Sequence, residues 1–316
     1  MGANDRGKQR AQAPGGEPGS AARRDRIAAQ RLAAQRVQRR NRLLIAGGAI
    51  VAIVAIVVAF VALRGSSSPG RSGGAVAGTP PTGQALAQAV ATTTSVPAAT
   101  LDKVGAGQAT GHPTPITGTP LTSGGKPEIL YMGAEFCPYC AAERWAMVVA
   151  LSRFGTFSGL SATHSAAKDG SGQPEPFPNT ATWTFVNSAY TSKYLTFTPV
   201  EMNTNIPDPA TGGYTTLQTP TAGQLALANT YNPGGTIPFI DFGNRYLIVG
   251  ASYDAGVLAG LSWSQIASDL HNPASPVAKS VLGTANYMTA AICSLTGDQP
   301  ASACTPVVKS LQSQLR

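Results

Sequence analysis

The chain has 316 residues, a formal charge of +8, 43% hydrophobic and only 12% charged residues, with 35 glycines and 24 prolines. The length excludes a disulfide-stapled miniprotein, and the apolar content excludes a chain disordered throughout. A charge of +8 invites a nucleic-acid reading, so where that charge sits has to be settled first.

Residues 1–42 hold 11 Lys/Arg against 3 Asp/Glu, so the entire excess lies in this tail and the remaining chain is neutral. Arg23, Arg24, Arg26, Arg31, Arg36, Arg39, Arg40 and Arg42, separated mostly by Ala and Gln, suit a basic helix. No aromatic residue is interleaved and no nucleic-acid-reading motif is present, so nucleic acid is not an expected partner. Residues 43–63 carry no charge, and 21 residues of helix reach about 30 Å, the thickness of a bilayer's hydrocarbon core. The run is longer than the apolar part of a cleaved signal peptide, and a retained transmembrane helix is expected. Only Arg64 and Arg71 follow it closely. The basic tail is therefore expected to be cytoplasmic and the C-terminal part extracytoplasmic, anchored in membrane lipid by a single pass. Residues 64–100 are mainly Gly, Ser, Thr, Ala and Pro and read as a flexible linker, which places the folded domain at 101–316.

The apolar run 128–134 predicts a buried strand that leads directly into Cys137, Pro138, Tyr139 and Cys140 and then a helix to about Phe154. Pro138 suits the first helical position, and Gly155 is placed to end the helix. The span 157–179 reads as a polar loop, 181–187 and 194–200 as strands, and 203–213 as a second loop. Thr219 and Pro220 are expected to cap a helix through Leu225 and Leu227 to about Thr230. Two apolar runs, 236–242 and 245–249, meet at Gly243 and Asn244 and predict a hairpin. Ser262 and Gln265 form a capping-box pattern, a longer helix is expected from Pro276 to about Leu295, and a short one after Thr305 and Pro306.

Two cysteines separated by two residues at a helix start can close a small disulfide ring. Unpaired N–H groups and the positive end of the helix dipole there favour thiolate over thiol. Cys137 is the expected nucleophile, and Cys140, one turn in, the residue that resolves a mixed disulfide. Zinc would need a second ligand pair, which neither the histidines nor Cys293 and Cys304 supply nearby in sequence, and a haem-attachment motif would need His where Ala141 stands. No metal or other cofactor is expected. A purely structural disulfide stays open for Cys137 and Cys140. Glu135, Glu143 and Arg144 flank the pair. Either one carboxylate handles the Cys140 proton, or these are first-turn helix charges with a surface ion pair, which is the preferred expectation. Trp145 reads as core, and His112, His164 and His271 as solvated. Cys293 and Cys304 bracket a loop with Gly297 and Pro300 between two helices; a structural disulfide is expected there, contributing about 3 kcal/mol, with a second redox pair as the alternative.

The stretch from Tyr131 through Glu135, Phe136, the cysteine motif, Ala141, Ala142, Glu143 and Arg144 to Trp145, with Thr236, Ile237, Pro238 and Phe239 about 100 residues on, resembles the thioredoxin superfamily. More closely, about 101–304 is similar to an uncharacterised family of membrane-anchored thioredoxin-like proteins that carry a domain of unknown function. The resemblance implies an α/β thioredoxin-like fold with insertions and C-terminal helices. It also implies a cis bond before Pro238, facing the cysteines, and backbone groups at Ile237 that pair with a bound peptide. The activity implied is thiol–disulfide exchange on exported cysteine-containing proteins, with a redox partner that resets the pair. Tyr139 is then the residue that tunes potential or partner choice. Two other functions remain open: a thioredoxin-like binding module stapled by structural disulfides, and a dithiol that delivers metal.

Overall fold

Residues 78–315 are described by the computed structural model; the expected basic tail, the expected membrane span at 43–63 and the first part of the expected linker lie outside the described residues. The linker expectation fails at its C-terminal end. Helix α1 (Gly83–Thr94) and the first three residues of helix α2 (Ala98–Val104) occupy the stretch read as flexible. Ala89 and Thr93 are buried, and Leu86 and Val90 pack against the main core. Burial of Ala89 and Thr93, with Leu86 and Val90 alongside, seats α1 on the core, so a shortage of large apolar residues did not leave this stretch unpacked.

Two short edge strands follow, β1 (Thr114–Pro115) and β2 (Thr122–Ser123), and then β3 (Lys126–Gly133), the expected buried strand. Helix α3 (Pro138–Ser152) starts at Pro138 as predicted. Gly155 does not end it. Gly155 opens β4 (Gly155–Ser158) and lies so close to the Thr191 carbonyl of the paired strand that no Cβ fits there. The region read as a polar loop also contains β5 (Ser161–His164). β6 (Ala181–Thr184) pairs antiparallel with β5, and β7 (Ala189–Ser192) with β4. β4 and β7 alternate half-buried with exposed positions over only four residues each, and β5 carries no large apolar side chain.

β8 (Thr196–Glu201) runs parallel to β3, with Glu128 opposite Thr196 and Gly133 opposite Glu201. The second predicted loop is instead a hairpin of β9 (Asn203–Asp208) and β10 (Gly213–Thr216). Helix α4 (Ala222–Tyr231) is capped by Thr221 and Gln224, two residues later than the Thr219–Pro220 expectation. β11 (Phe239–Phe242) and β12 (Tyr246–Val249) form the predicted hairpin; Phe242 lies opposite Tyr246, so Gly243, Asn244 and Arg245 connect the strands, with Gly243 and Asn244 left-handed at φ of 64° and 55°. Helix α5 (Trp263–Asp269) carries the Ser262/Gln265 capping box, α6 (Pro276–Thr296) is the long helix, and α7 (Pro306–Gln312) closes the chain.

The main sheet has the order β1, β12, β11, β3, β8, with β2 pairing the start of β3. Only β3 and β8 are parallel, and β11 is antiparallel to both β3 and β12. Alternate residues face two cores. Ile129, Tyr131, Ile240, Phe242 and Ile248 join the larger one under α3 and α6, while Leu130, Met132, Val200, Phe239 and Leu247 face Leu227, Ala228 and Tyr231 of α4. A sheet covered on both faces explains why β3 reads as a nearly unbroken apolar run. Helix α6 comes close enough to α2 that Gly283 leaves no room for a Cβ beside the Ala106 carbonyl, and Asn286 donates to the carbonyls of Leu101 and Gly105. Cys293 and Cys304 are bonded, with both residues buried. Among the described residues no helix is long and apolar enough to cross a membrane.

Candidate active site

The C-terminal end of β3 is where the predicted residues converge. The chain leaves the sheet at Gly133 and reaches Cys137, which is the N-cap of α3. The backbone N–H of Cys140 donates to Cys137 Sγ at 3.3 Å, so the first sulfur occupies the place that a capping oxygen would take. In the sheet, Phe239 lies opposite Met132, which brings the preceding Pro238 level with the end of β3. The Ile237–Pro238 bond is cis, and the Cys137 thiol faces the Ile237 carbonyl oxygen at 4.0 Å. Residues 100 positions apart thus meet at one sulfur.

The two cysteines are not equivalent. Both are free thiols; Cys137 is 5% exposed and Cys140 is fully buried. The hydrogen bond donated by the Cys140 thiol lowers the Cys137 thiol below the ordinary cysteine value, against the opposing effect of burial, and backbone N–H groups and Arg144 act in the same direction as that bond. Burial pushes Cys140 well up, and its role as donor to Cys137 adds to the rise; Arg144 and the Ala134 N–H oppose it. The asymmetry matches a nucleophile that ionises easily and a resolving thiol that is held protonated.

The flanking charges depart from the surface expectation. Glu143 and Arg144 are both fully buried. Glu143 accepts the backbone N–H of Ser252 at 3.1 Å and the Ser252 hydroxyl at 2.5 Å, and burial pushes its carboxyl up to about 7. Arg144 grips Glu201 at 2.8 Å and 2.6 Å and also donates to the Ala134 carbonyl at 2.7 Å. Burial lifts the Glu201 carboxyl above its usual value while the guanidinium opposes that rise. Helix α3 has almost no exposed face because β6, α6 and the 250–254 segment cover it, so its charges had nowhere to be solvated. Glu135 alone of the three stays half-buried, tied by its N–H to the Asn203 carbonyl.

The first turn of α3 is clamped from outside. Thr182 donates to the Ala141 carbonyl and Tyr253 to the Ala142 carbonyl, while Trp145, core as expected, donates to the Ala181 carbonyl. Tyr139 projects with 40% exposure beside Phe177. His112 is exposed as expected; His164 and His271 are half-buried, bonded at the Ser165 and Thr92 carbonyls.

Sequence reasoning missed four residues here. Phe136 stacks on Tyr214 with ring centroids 4.0 Å apart, and Tyr214 donates to Glu175. The Ala166 N–H donates to the Phe136 carbonyl. The two segments read as loops therefore meet around the residue that precedes Cys137. Tyr131 and Glu201 complete the set, on neighbouring strands behind the cysteines. Glu201 carried one signal, a charge at the end of an apolar strand; Tyr131 and Phe136 lay within the motif that carries the resemblance but were given no role of their own, and Tyr214 carried none.

The chain belongs to the family described as "Domain of unknown function (DUF929)", whose match covers residues 113–294 and so contains the whole site. No curated protein and no solved structure matches this chain.

Proposed function

We propose that this protein is a membrane-anchored, extracytoplasmic thiol–disulfide oxidoreductase of thioredoxin-like fold, acting on exported cysteine-containing proteins. The observation that carries the reading is the meeting of Cys137, as helix N-cap and acceptor of the Cys140 N–H, with the Ile237 carbonyl that precedes cis-Pro238. The strand order β12, β11, β3, β8, with one parallel pair, is that expected of a thioredoxin-like fold. The neutral C-terminal part, the basic tail and the apolar run at 43–63 support the topology.

In the reducing direction, the Cys137 thiolate attacks one sulfur of a substrate disulfide, forming a mixed disulfide and expelling one substrate thiolate. Cys140 then attacks Cys137 Sγ, closes the Cys137–Cys140 bond and expels the second substrate thiol, which takes up the Cys140 proton. Two electrons pass to the substrate, and a redox partner restores the pair. The oxidising direction is the reverse. Pro238 shapes the strand end against the sulfur, and the Ile237 backbone holds the substrate segment. Cys137→Ser is expected to abolish exchange with a model disulfide peptide; unchanged exchange overturns the assignment. Protease added outside spheroplasts should reach the folded part and spare the Arg-rich tail.

The burial of both sulfurs favours a second reading, a binding module in which the pair serves as a staple. A Cys137/Cys140 reduction potential below about −300 mV would select it.

A further inference from the structure

The exchange steps above leave one buried carboxyl unused. Glu143 stands one turn beyond Cys140 on α3, fully buried, and among the described residues no cation pairs with it. Both of its oxygens bond a single residue: Oε2 accepts the Ser252 N–H at 3.1 Å and Oε1 accepts the Ser252 hydroxyl at 2.5 Å. The next residue, Tyr253, is tied to the same helix, its hydroxyl donating to the Ala142 carbonyl at 2.6 Å. Burying a carboxyl without a cation is costly, and an apolar side chain at 143 would extend the buried surface of α3 without that cost. An apolar side chain could not hold the N–H and the O–H of one residue together.

Ser252 leads directly to the other wall of the site. Two residues earlier, Gly250 leaves β12 at φ of 83° and donates its N–H to the Pro238 carbonyl at 2.8 Å, while Val249 lies opposite Phe239. Pro238 has no N–H of its own, so its carbonyl is the group through which it joins the ladder. Ile237, just before it, faces Cys137 Sγ with its carbonyl at 4.0 Å. The Ser252 carbonyl accepts the N–H groups of Thr110 and Gly111, which fixes the segment on its outer side. The two walls of the gap, Cys137 on α3 and the Ile237–Pro238 turn ahead of β11, are therefore joined by one path of hydrogen bonds. It runs from α3 through the Glu143 carboxyl, Ser252 and the Gly250 N–H to the Pro238 carbonyl.

We infer that Glu143, through Ser252 and Gly250, is a positioning residue that fixes the gap between Cys137 and the Ile237–Pro238 turn, and so sets how a peptide disulfide is presented to the sulfur. The inference rests on the redox reading above and deepens it. A peptide whose backbone lies along Ile237 needs that gap at one width, because a misplacement of about 1 Å costs up to about 100-fold in rate. A small disulfide without a peptide backbone meets only the sulfur. The cap that the Cys140 N–H makes to Cys137 Sγ does not run through Ser252, so the sulfur's own reactivity is independent of this path.

The test compares two disulfides on the reduced full-length chain: a pair of extended peptides joined by one disulfide, and dithiobisnitrobenzoate, which has no peptide backbone. Glu143→Ala removes both bonds to Ser252 and is expected to slow attack on the peptide disulfide by about tenfold. Ser252→Ala, which removes the hydroxyl bond and keeps the N–H bond, should slow it by about threefold. Glu143→Gln keeps a carbonyl for the Ser252 N–H and should restore most of the rate lost in Glu143→Ala. Attack on dithiobisnitrobenzoate is expected to change by less than about twofold in each variant. A merely structural role would lower both rates together, through the folded fraction, or neither. Equal losses on the two disulfides, or an undiminished peptide rate in the folded variants, overturns the inference and leaves the redox reading standing. Ser252→Ala decides alone if Glu143→Ala does not fold. A wild-type chain that leaves the peptide disulfide intact overturns the redox reading and the inference with it.

Discussion

The molecule carries two cysteine pairs at opposite kinds of helix end. Cys137 and Cys140 stand at the start of α3, where unpaired N–H groups converge, and they are free. Cys293 lies near the end of α6, where carbonyls converge, and it is bonded to Cys304 across a loop with left-handed Gly297. At the first end Cys137 Sγ does the work of a capping oxygen. At the second, the Cys293 carbonyl accepts from the Gly297 and Asp298 N–H groups, and the sulfur is left to tie α6 to the segment leading into α7. Asp298, close to that disulfide, is paired with Lys309. The same side chain stands as a free thiol capping a helix at one end and as half of a disulfide at the other.

The largest expected effects separate the two pairs. Cys137→Ser should eliminate exchange with a disulfide peptide, read by the rate of thiol release, and leave unfolding by denaturant almost unchanged. Replacing Cys293 and Cys304 together with Ser should do the reverse. Closing their short loop is expected to stabilise the fold by about 3 kcal/mol, which urea unfolding followed by Trp fluorescence would register, with exchange rates retained. Loss of exchange in the second variant would break the division of labour.

A comparable effect belongs to Glu143 and is seen only through pH. Its carboxyl lies at about 7 in the folded chain against an ordinary 4.5, so between those values the folded state holds a proton that the unfolded state has lost. Stability from this group is fully present below about pH 4.5 and disappears as pH rises to about 7, a change on the order of 3 kcal/mol. Buried Asp241, pushed up to about 6, acts in the same direction. Glu143→Gln is expected to flatten the decline, measured as denaturation midpoints at pH 5 and pH 8. An unchanged slope would remove Glu143 as its source.

Smaller changes sharpen the contrast further. Phe136→Ala removes the ring stacked on Tyr214 and should destabilise the fold by about 3 kcal/mol or less, because the half-exposed site can relax. Proteolysis of the β9–β10 hairpin should speed up in that variant. At the other pair, Lys309→Met breaks an ion pair whose partners are 50% and 37% exposed, and less than about 1 kcal/mol is expected.

Much of the frame was legible because it rests on local rules. Pro138 at the first helical position, the Gly243–Asn244 turn, the Ser262/Gln265 box and the span of α6 each follow from a few neighbouring residues. The hairpin of β9 and β10 was not legible, since neither strand shows alternating burial and its support comes from distant segments: Tyr214 stacks on Phe136, the Glu135 N–H donates to the Asn203 carbonyl, and Asn205 donates to the His164 carbonyl. Helix α1 was missed for a related reason: only Ala89 and Thr93 are buried in it, which leaves no long apolar stripe to read.

By itself, the sequence determined where reactive chemistry could reside. A CxxC at a helix start after a buried strand is a local arrangement, and the whole charge excess sits in 42 residues before an apolar run. Only the tertiary structure decided which groups set the electrostatics of that site. Glu143 and Arg144 look like surface residues in a helix pattern, and they are buried because three other elements cover α3. Glu201 is a partner at all only because parallel pairing of β8 with β3 sets it beside Gly133. Burial and long-range pairing are properties of the assembled chain, and they fix the field in which Cys137 and Cys140 sit.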